Sequence, residues 1–310
     1  MKSPLTFYQP AYQNYAIGAY SVNTMEQVLG IFKGAALAQA PVIIQISGKA
    51  HQYAGWGVLE AVVHAAARLY PTVPFAVHLD HGDEQTCMAC IDSGWYSSVM
   101  IDASKMALAE NAAITRRVVE RAHAHGIAVE AELGRLAGHE DDVDVDESEA
   151  FLTDPQDALE FVRLSGCDSL AVCIGTSHGV NKFSGEAKLH LTRLNEIAAQ
   201  LQGFPLVLHG ASSVSNRELQ RINAAGGAVD LNSKGVPEDQ YILAARSGIV
   251  KINVDTDSRL VWTRAIREHF INHPANVDLR EPGRDVMEGV AEMVVHHSGL
   301  FGCQNRVSGH

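Results

Sequence analysis

Clustered basic residues are the first thing missing from this chain. Its 310 residues carry 24 Lys and Arg against 36 Asp and Glu, a formal net charge of −12, and no lysine or arginine run. Nucleic acid is not expected as a partner, because neutralising a phosphate backbone needs clustered cations. Small anions remain open, since local basic groups and backbone amides can hold them on an acidic protein. Long apolar runs are missing too. None reaches bilayer length, and the N-terminal "MKSPLTFYQPAYQNYAIGAY" lacks the apolar core of a signal peptide. The expectation is a cytoplasmic protein with no membrane partner. Cysteine is scarce: five residues, an odd number, fit reduced thiols better than a disulfide framework. Cys87 and Cys90 form a lone C-x-x-C; with no second pair they read as plain thiols, not a structural zinc site. No low-complexity linker divides the chain. A single domain spanning residues 1–310 is expected, at a length common for α/β barrels.

What is present is a repeating unit: a short apolar run, a polar or glycine-containing loop, then a helical stretch. The runs are Ala16–Val22, Val42–Ser47, Phe75–Asp80, Ser98–Asp102, Ile127–Glu132, Ser169–Ile174, Leu206–His209 and Ile249–Val254. They are nearly continuously apolar, as parallel strands buried on both faces should be. Between them lie amphipathic stretches such as "MEQVLGIFKGAALAQ" and "AENAAITRRVVERAHAHG", the second ending in Gly126, a C-cap candidate. Eight such units predict a (β/α)8 TIM barrel, here with a helical extension at its C-terminus.

A barrel of this kind carries its chemistry at the C-terminal ends of its strands. Those ends supply Asn23, Ser47, Asp80 with His81, Asp102, Glu132, His178 shortly after the sixth run, His209, and Asn253 with Asp255 and Thr256. His81, His178 and His209 each stand directly before a glycine. Three imidazoles from separate strands make a zinc site with an open fourth position. Such a metal polarises a carbonyl or enediolate oxygen as a Lewis acid. The plain alternative is three unrelated histidines hydrogen-bonding their own loops. "HGASS" and "NVDTD" add amides and hydroxyls suited to a phosphate, after the strands where barrels often hold one. Simple N-capping by Ser212, Ser213 and Thr256 is compatible with that reading.

"HLDHG", "SVMIDAS", "VEAELGRLAGHEDD", "AVCIGTSHG", "LVLHGASS" and "KINVDTDSRL" occur in this order. Together with "YAIGAYSVNTMEQ" they resemble the class II, zinc-dependent fructose-1,6-bisphosphate aldolases, in the branch shared with tagatose-bisphosphate aldolases. The resemblance runs from about Tyr15 to about Met287. It implies that His81, His178 and His209 bind the zinc and that Asp80 is the acid/base at the substrate's C4 hydroxyl. Glu140 would exchange a proton at C3 from a mobile loop, and Glu132 would lie near the metal as an alternative ligand. Gly179, Lys182, Gly210 and Ser212 match the segments around the C1 phosphate. Asn253, Asp255 and Thr256 match the substrate loop after the last strand. Arg259 or Arg280 would hold the distal phosphate, in part across a dimer. Asn23 belongs to the first-strand loop, and Ser47 to a variant of the family's usual serine loop. The implied cofactors are Zn2+ and a monovalent cation, Na+ or K+. The implied assembly is a homo-oligomer, dimer or tetramer.

The expected reaction is reversible cleavage of fructose 1,6-bisphosphate to dihydroxyacetone phosphate and glyceraldehyde 3-phosphate. The long stretch "INAAGGAVDLNSKGVPEDQ" looks like the fructose-bisphosphate members. The tagatose epimer, a non-catalytic sugar-phosphate binder and a zinc hydrolase are the alternatives. So is a Schiff-base aldolase using Lys251. The tail "GLFGCQNRVSGH" departs from the usual family ending.

Overall fold

The structure is a computed structural model describing residues 1–134, 152–176 and 188–307, with backbone alone for 137–140, 143–145 and 177–178. Its strands are β1 (Ile17–Ser21), β2 (Val42–Ser47), β3 (Phe75–Gly82), β4 (Ser98–Ile101), β5 (Ala128–Leu133), β6 (Ala137–Glu140), β7 (Val143–Val145), β8 (Ser169–Val172), β9 (Ser177–His178), β10 (Leu206–Leu208) and β11 (Ile249–Val254). Eight of them close into a barrel in the order β1-β11-β10-β8-β5-β4-β3-β2, every pair parallel. Each apolar run of the sequence is one barrel strand, shifted at its ends by no more than two residues.

Helices cover the outer faces. The helix Met25–Ala38 begins at a capping box. The Thr24 hydroxyl accepts from the Gln27 amide, and the Gln27 side chain accepts from the Thr24 amide at 3.2 Å. The helix Leu108–His123 ends at Ala124, not at the Gly126 expected from the sequence. Gly126 follows with φ 70°, in the left-handed turn that leads Ile127 into β5.

The last helix, Arg280–Leu300, lies along Met25–Ala38 at very short range. A Cβ placed on Gly30 would meet the Met287 carbonyl at 2.8 Å, and one on Gly34 would meet that of Ala291 at 2.6 Å. Only glycine permits that approach. The long connection between β10 and β11 carries two helices, Asn216–Ala224 and Asp239–Arg246. Cys87 and Cys90 are core thiols, and burial pushes Cys90 up to about 12. Among the described residues, no helix is long and apolar enough to cross a membrane.

A second, small sheet stands apart from the barrel sheet in the order β7-β6-β9. The acidic stretch after β5, expected to be a loop, therefore contains two short strands. β6 and β7 form an antiparallel pair, and β6 also pairs in parallel with β9, Gly138 opposite His178. Backbone pairing thus sets the segment carrying Glu140 beside the one carrying His178.

Candidate active site

Polar side chains fill the upper barrel. His78, Glu130, His209 and Lys251 are fully buried, and they touch although their strands β3, β5, β10 and β11 are not all neighbours. Such contacts can be made only across the barrel interior. One layer higher lie Asp80, Glu132 and Asn253, each two residues beyond one of these, because alternate residues of a strand share a face. His81, next to Asp80, joins them where the register of β3 is irregular between Leu79 and Gly82.

At the centre, His81 Nε2 and His209 Nδ1 stand 3.0 Å apart. Two nitrogens bound tetrahedrally to one zinc would be roughly 3.3 Å apart, given bonds of about 2.0–2.1 Å. Asp80, His81 and His209 each offer a ligand atom within 4.8 Å of the others, and so do His81, Asp102 and Glu132. The buried Glu132 Oε2 has no hydrogen-bond partner among the described residues and lies 3.9 Å from His81 Nδ1 and 4.0 Å from His209 Nδ1. Imidazole nitrogens with a nearby carboxylate suit a divalent metal of the zinc type. The residues present therefore fit a metal.

Partners orient these groups. His81 Nδ1 bonds Asp102 Oδ2 at 2.9 Å, and Asp102 also accepts from Ser104. His81 itself sits at φ 49°, a left-handed backbone uncommon outside glycine and typical of functional turns. Burial disfavours charge on His81, but Asp80, Asp102 and Glu132 outweigh it and lift its pKa to about 10. Burial holds His209 down at about 4 despite Glu130. Burial, with Asp102 beside it, pushes Glu132 up to about 8. Asn253 spans two members of the site, its amide 3.3 Å from Asp80 Oδ1 and 3.2 Å from His209 Nε2.

The remaining expected residues fall into three groups. Around the mouth, Gly210 follows His209 at φ 58°, and the Ser212 hydroxyl accepts from the Asp255 amide at 3.3 Å. Asp255 precedes the helix Thr256–Asn272 and pairs with Arg259 at 2.7 Å. Arg259 shares a cavity of about 430 Å³ with Asn23, Lys49, Tyr53 and Trp262. Ser47 is an N-cap, accepting from the Ala50 amide at 3.3 Å. Ser212 and Ser213 do not cap the next helix; Asp257, buried behind them, accepts from the Ser213 and Val214 amides at 2.8 and 2.7 Å. Arg280 is exposed and forks onto Asp278 at 2.7 Å. The third group, Gly179, Lys182 and the side chains of Glu140 and His178, lies outside the described residues.

No role for Glu130 or Asp257 stands out in the sequence, and His78 does so only as a neighbour of Asp80 and His81. Glu130 is two residues before Glu132, so it shares the inward face of β5; that spacing was the available signal. Lys251, considered as a nucleophile, is fully buried with its amine 2.9 Å from Glu130 Oε2.

A family profile described as "Fructose-bisphosphate aldolase class-II" matches residues 5–306. The chain is 45% identical over 294 residues to a fructose-bisphosphate aldolase of Giardia intestinalis, covering 93% of this chain and 88% of that one. It is 42% identical to that of Thermus caldophilus, over 95% of each. Among solved structures, the YdjI aldolase of Escherichia coli K12 superposes with a TM-score of 0.79 at 28% identity, over 99% of this chain and 100% of that one. With a parallel eight-stranded barrel and a metal-fitting cluster at its mouth, the chain belongs to the class II fructose-bisphosphate aldolases, a family of metal-dependent lyases.

Proposed function

We propose that this chain cleaves fructose 1,6-bisphosphate reversibly to dihydroxyacetone phosphate and glyceraldehyde 3-phosphate, with zinc as its resident metal. The observation that carries the reading is the close approach of His81 Nε2 and His209 Nδ1 at 3.0 Å with Asp80 in the same cluster. His178 is the third metal ligand, and Glu132 an alternative one. Bound there, the metal supplies Lewis acidity for the negative charge that develops on the C2 oxygen.

The protein's own groups do the rest. Asp80 takes the C4 hydroxyl proton as the C3–C4 bond breaks, and the aldehyde half departs. Glu140 returns a proton to C3. Asn253 orients Asp80 through its amide. Gly179, Lys182, Gly210 and Ser212 surround the C1 phosphate, with Asn253, Asp255 and Thr256 along the sugar. Asn23 and Ser47 line the same mouth, and Arg259 or Arg280 meets the distal phosphate. A monovalent cation, Na+ or K+, accompanies the first phosphate. Residues 1–310 act as one barrel domain, in a cytoplasmic homo-oligomer, dimer or tetramer.

The test is cleavage of fructose 1,6-bisphosphate before and after chelation, with zinc added back and borohydride trapping in parallel. Activity lost to the chelator and restored by zinc is expected. Full activity in excess chelator, or a trapped adduct on Lys251, would falsify it.

A further inference from the structure

Beneath the metal-fitting cluster lies an ion pair that the reaction itself does not use. Lys251 has no exposed surface, and its ammonium is 3.0 Å from Glu130 Oε1 and 2.9 Å from Glu130 Oε2. Glu130 is 1% exposed, and its Oε1 also accepts from His209 Nε2 at 2.8 Å. Two charges so deeply buried are costly to desolvate, and apolar residues of similar volume would serve stability as well or better. Stability alone therefore does not account for them.

The hydrogen bond to His209 does. A neutral imidazole has one N–H and one lone pair, and the partner of one nitrogen fixes which is which. A carboxylate can only accept, and its 2.8 Å charged bond outweighs the longer 3.2 Å approach of the Asn253 amide, a donor, to the same nitrogen. The proton therefore sits on Nε2 and the lone pair on Nδ1. Nδ1 is the nitrogen that faces His81 Nε2 at 3.0 Å. Lys251 donates to the same oxygen, Oε1, that accepts from His209 and lies 2.9 Å from Oε2, so its charge anchors the carboxylate where His209 meets it. A carboxylate behind a histidine in this way orients the ring and raises its basicity toward a metal.

We infer that Glu130 and Lys251 together are positioning residues that commit His209 to binding metal through Nδ1. The inference rests on the metal-dependent reading above and adds a role for residues that touch neither substrate nor metal. It predicts that metal affinity depends on this pair even in a folded protein.

The decisive variant is the double substitution Glu130→Leu with Lys251→Met, which removes both charges together and leaves neither buried alone. Glu130→Met with Lys251→Leu, a second apolar pair, is made beside it, in case the first double variant does not fold. Zinc dissociation constants are measured by chelator competition. The visible spectrum of the cobalt(II)-loaded protein reports the ligand set directly. Zinc binding weakened about 10- to 100-fold and an altered cobalt spectrum, with thermal unfolding still cooperative, are expected. Wild-type zinc affinity and cobalt spectrum in either folded variant would overturn the inference and leave the aldolase reading standing. A wild-type chain that binds neither metal would overturn the metal reading, and this inference with it.

Discussion

In the proposed reaction Asp80 and Glu140 divide the proton transfers, so their substitutions should fail differently. Asp80→Ala should lower cleavage by about 10²-fold or more, the usual worth of a placed acid/base, while zinc content stays near wild type. Zinc lost in proportion to activity would make Asp80 a ligand instead. Glu140→Ala should chiefly slow exchange of the C3 proton of dihydroxyacetone phosphate with solvent; exchange at the wild-type rate would remove Glu140 from the reaction. His81 adds a pH dependence. Three carboxylates lift its pKa to about 10 in the metal-free protein, so below that pH it holds a proton that a metal must displace. His209, at about 4, holds none near neutrality. Metal affinity should therefore rise about tenfold per pH unit between roughly pH 6 and 8, for one proton released. Chelator competition at several pH values measures the slope, and a flat profile would refute the assignment. Single residues were unevenly legible. Asp80 and His81 showed themselves as polar groups closing an apolar run. Asp102 was visible only as a strand end, because its bond to His81 joins positions 21 apart.

Among the elements, the contact between Met25–Ala38 and Arg280–Leu300 makes the sharpest claim. Gly34→Ala would drive a methyl against the Ala291 carbonyl, a backbone atom that cannot turn aside. A loss of about 1–3 kcal/mol is expected, the usual range for overpacking. Gly283→Ala, on the same C-terminal helix, meets only the Glu26 side chain at 3.6 Å and should be neutral or stabilising by up to about 1 kcal/mol. Paired denaturant titrations decide it; equal effects would mean the helices can separate freely. The barrel strands were legible because burial on both faces makes them uniformly apolar. The outlying strands β6, β7 and β9 were not, since short polar segments such as "AGHE" carry no periodicity to read. The pair Glu130 and Lys251 was hidden for a related reason: each lies within a strand, where composition announces a core and only cross-barrel contacts disclose a polar interior.

For the molecule as a whole, the substrate is the open variable. Fructose and tagatose 1,6-bisphosphate differ only at C4, so contacts with their phosphates cannot separate them. Strong rejection of an epimer needs polar pairing at C4, for which Asp80 and Asp255 are the candidates. A higher kcat/KM for the fructose epimer is expected on one preparation, and Asp255→Ala should narrow the ratio. Equal values, or a preference for tagatose, would reassign the substrate. Closure of the barrel carries a different consequence. β1 pairs with β11, Ile17 opposite Lys251, and the last helix seals the first one after β1. During synthesis β2 follows β1 closely, but the other edge of β1 has no partner until β11 has been made, at Ile249–Val254. That edge stays unpaired through most of synthesis, a state prone to aggregation. The barrel therefore cannot close before β11 has been made, however early its other strands have paired.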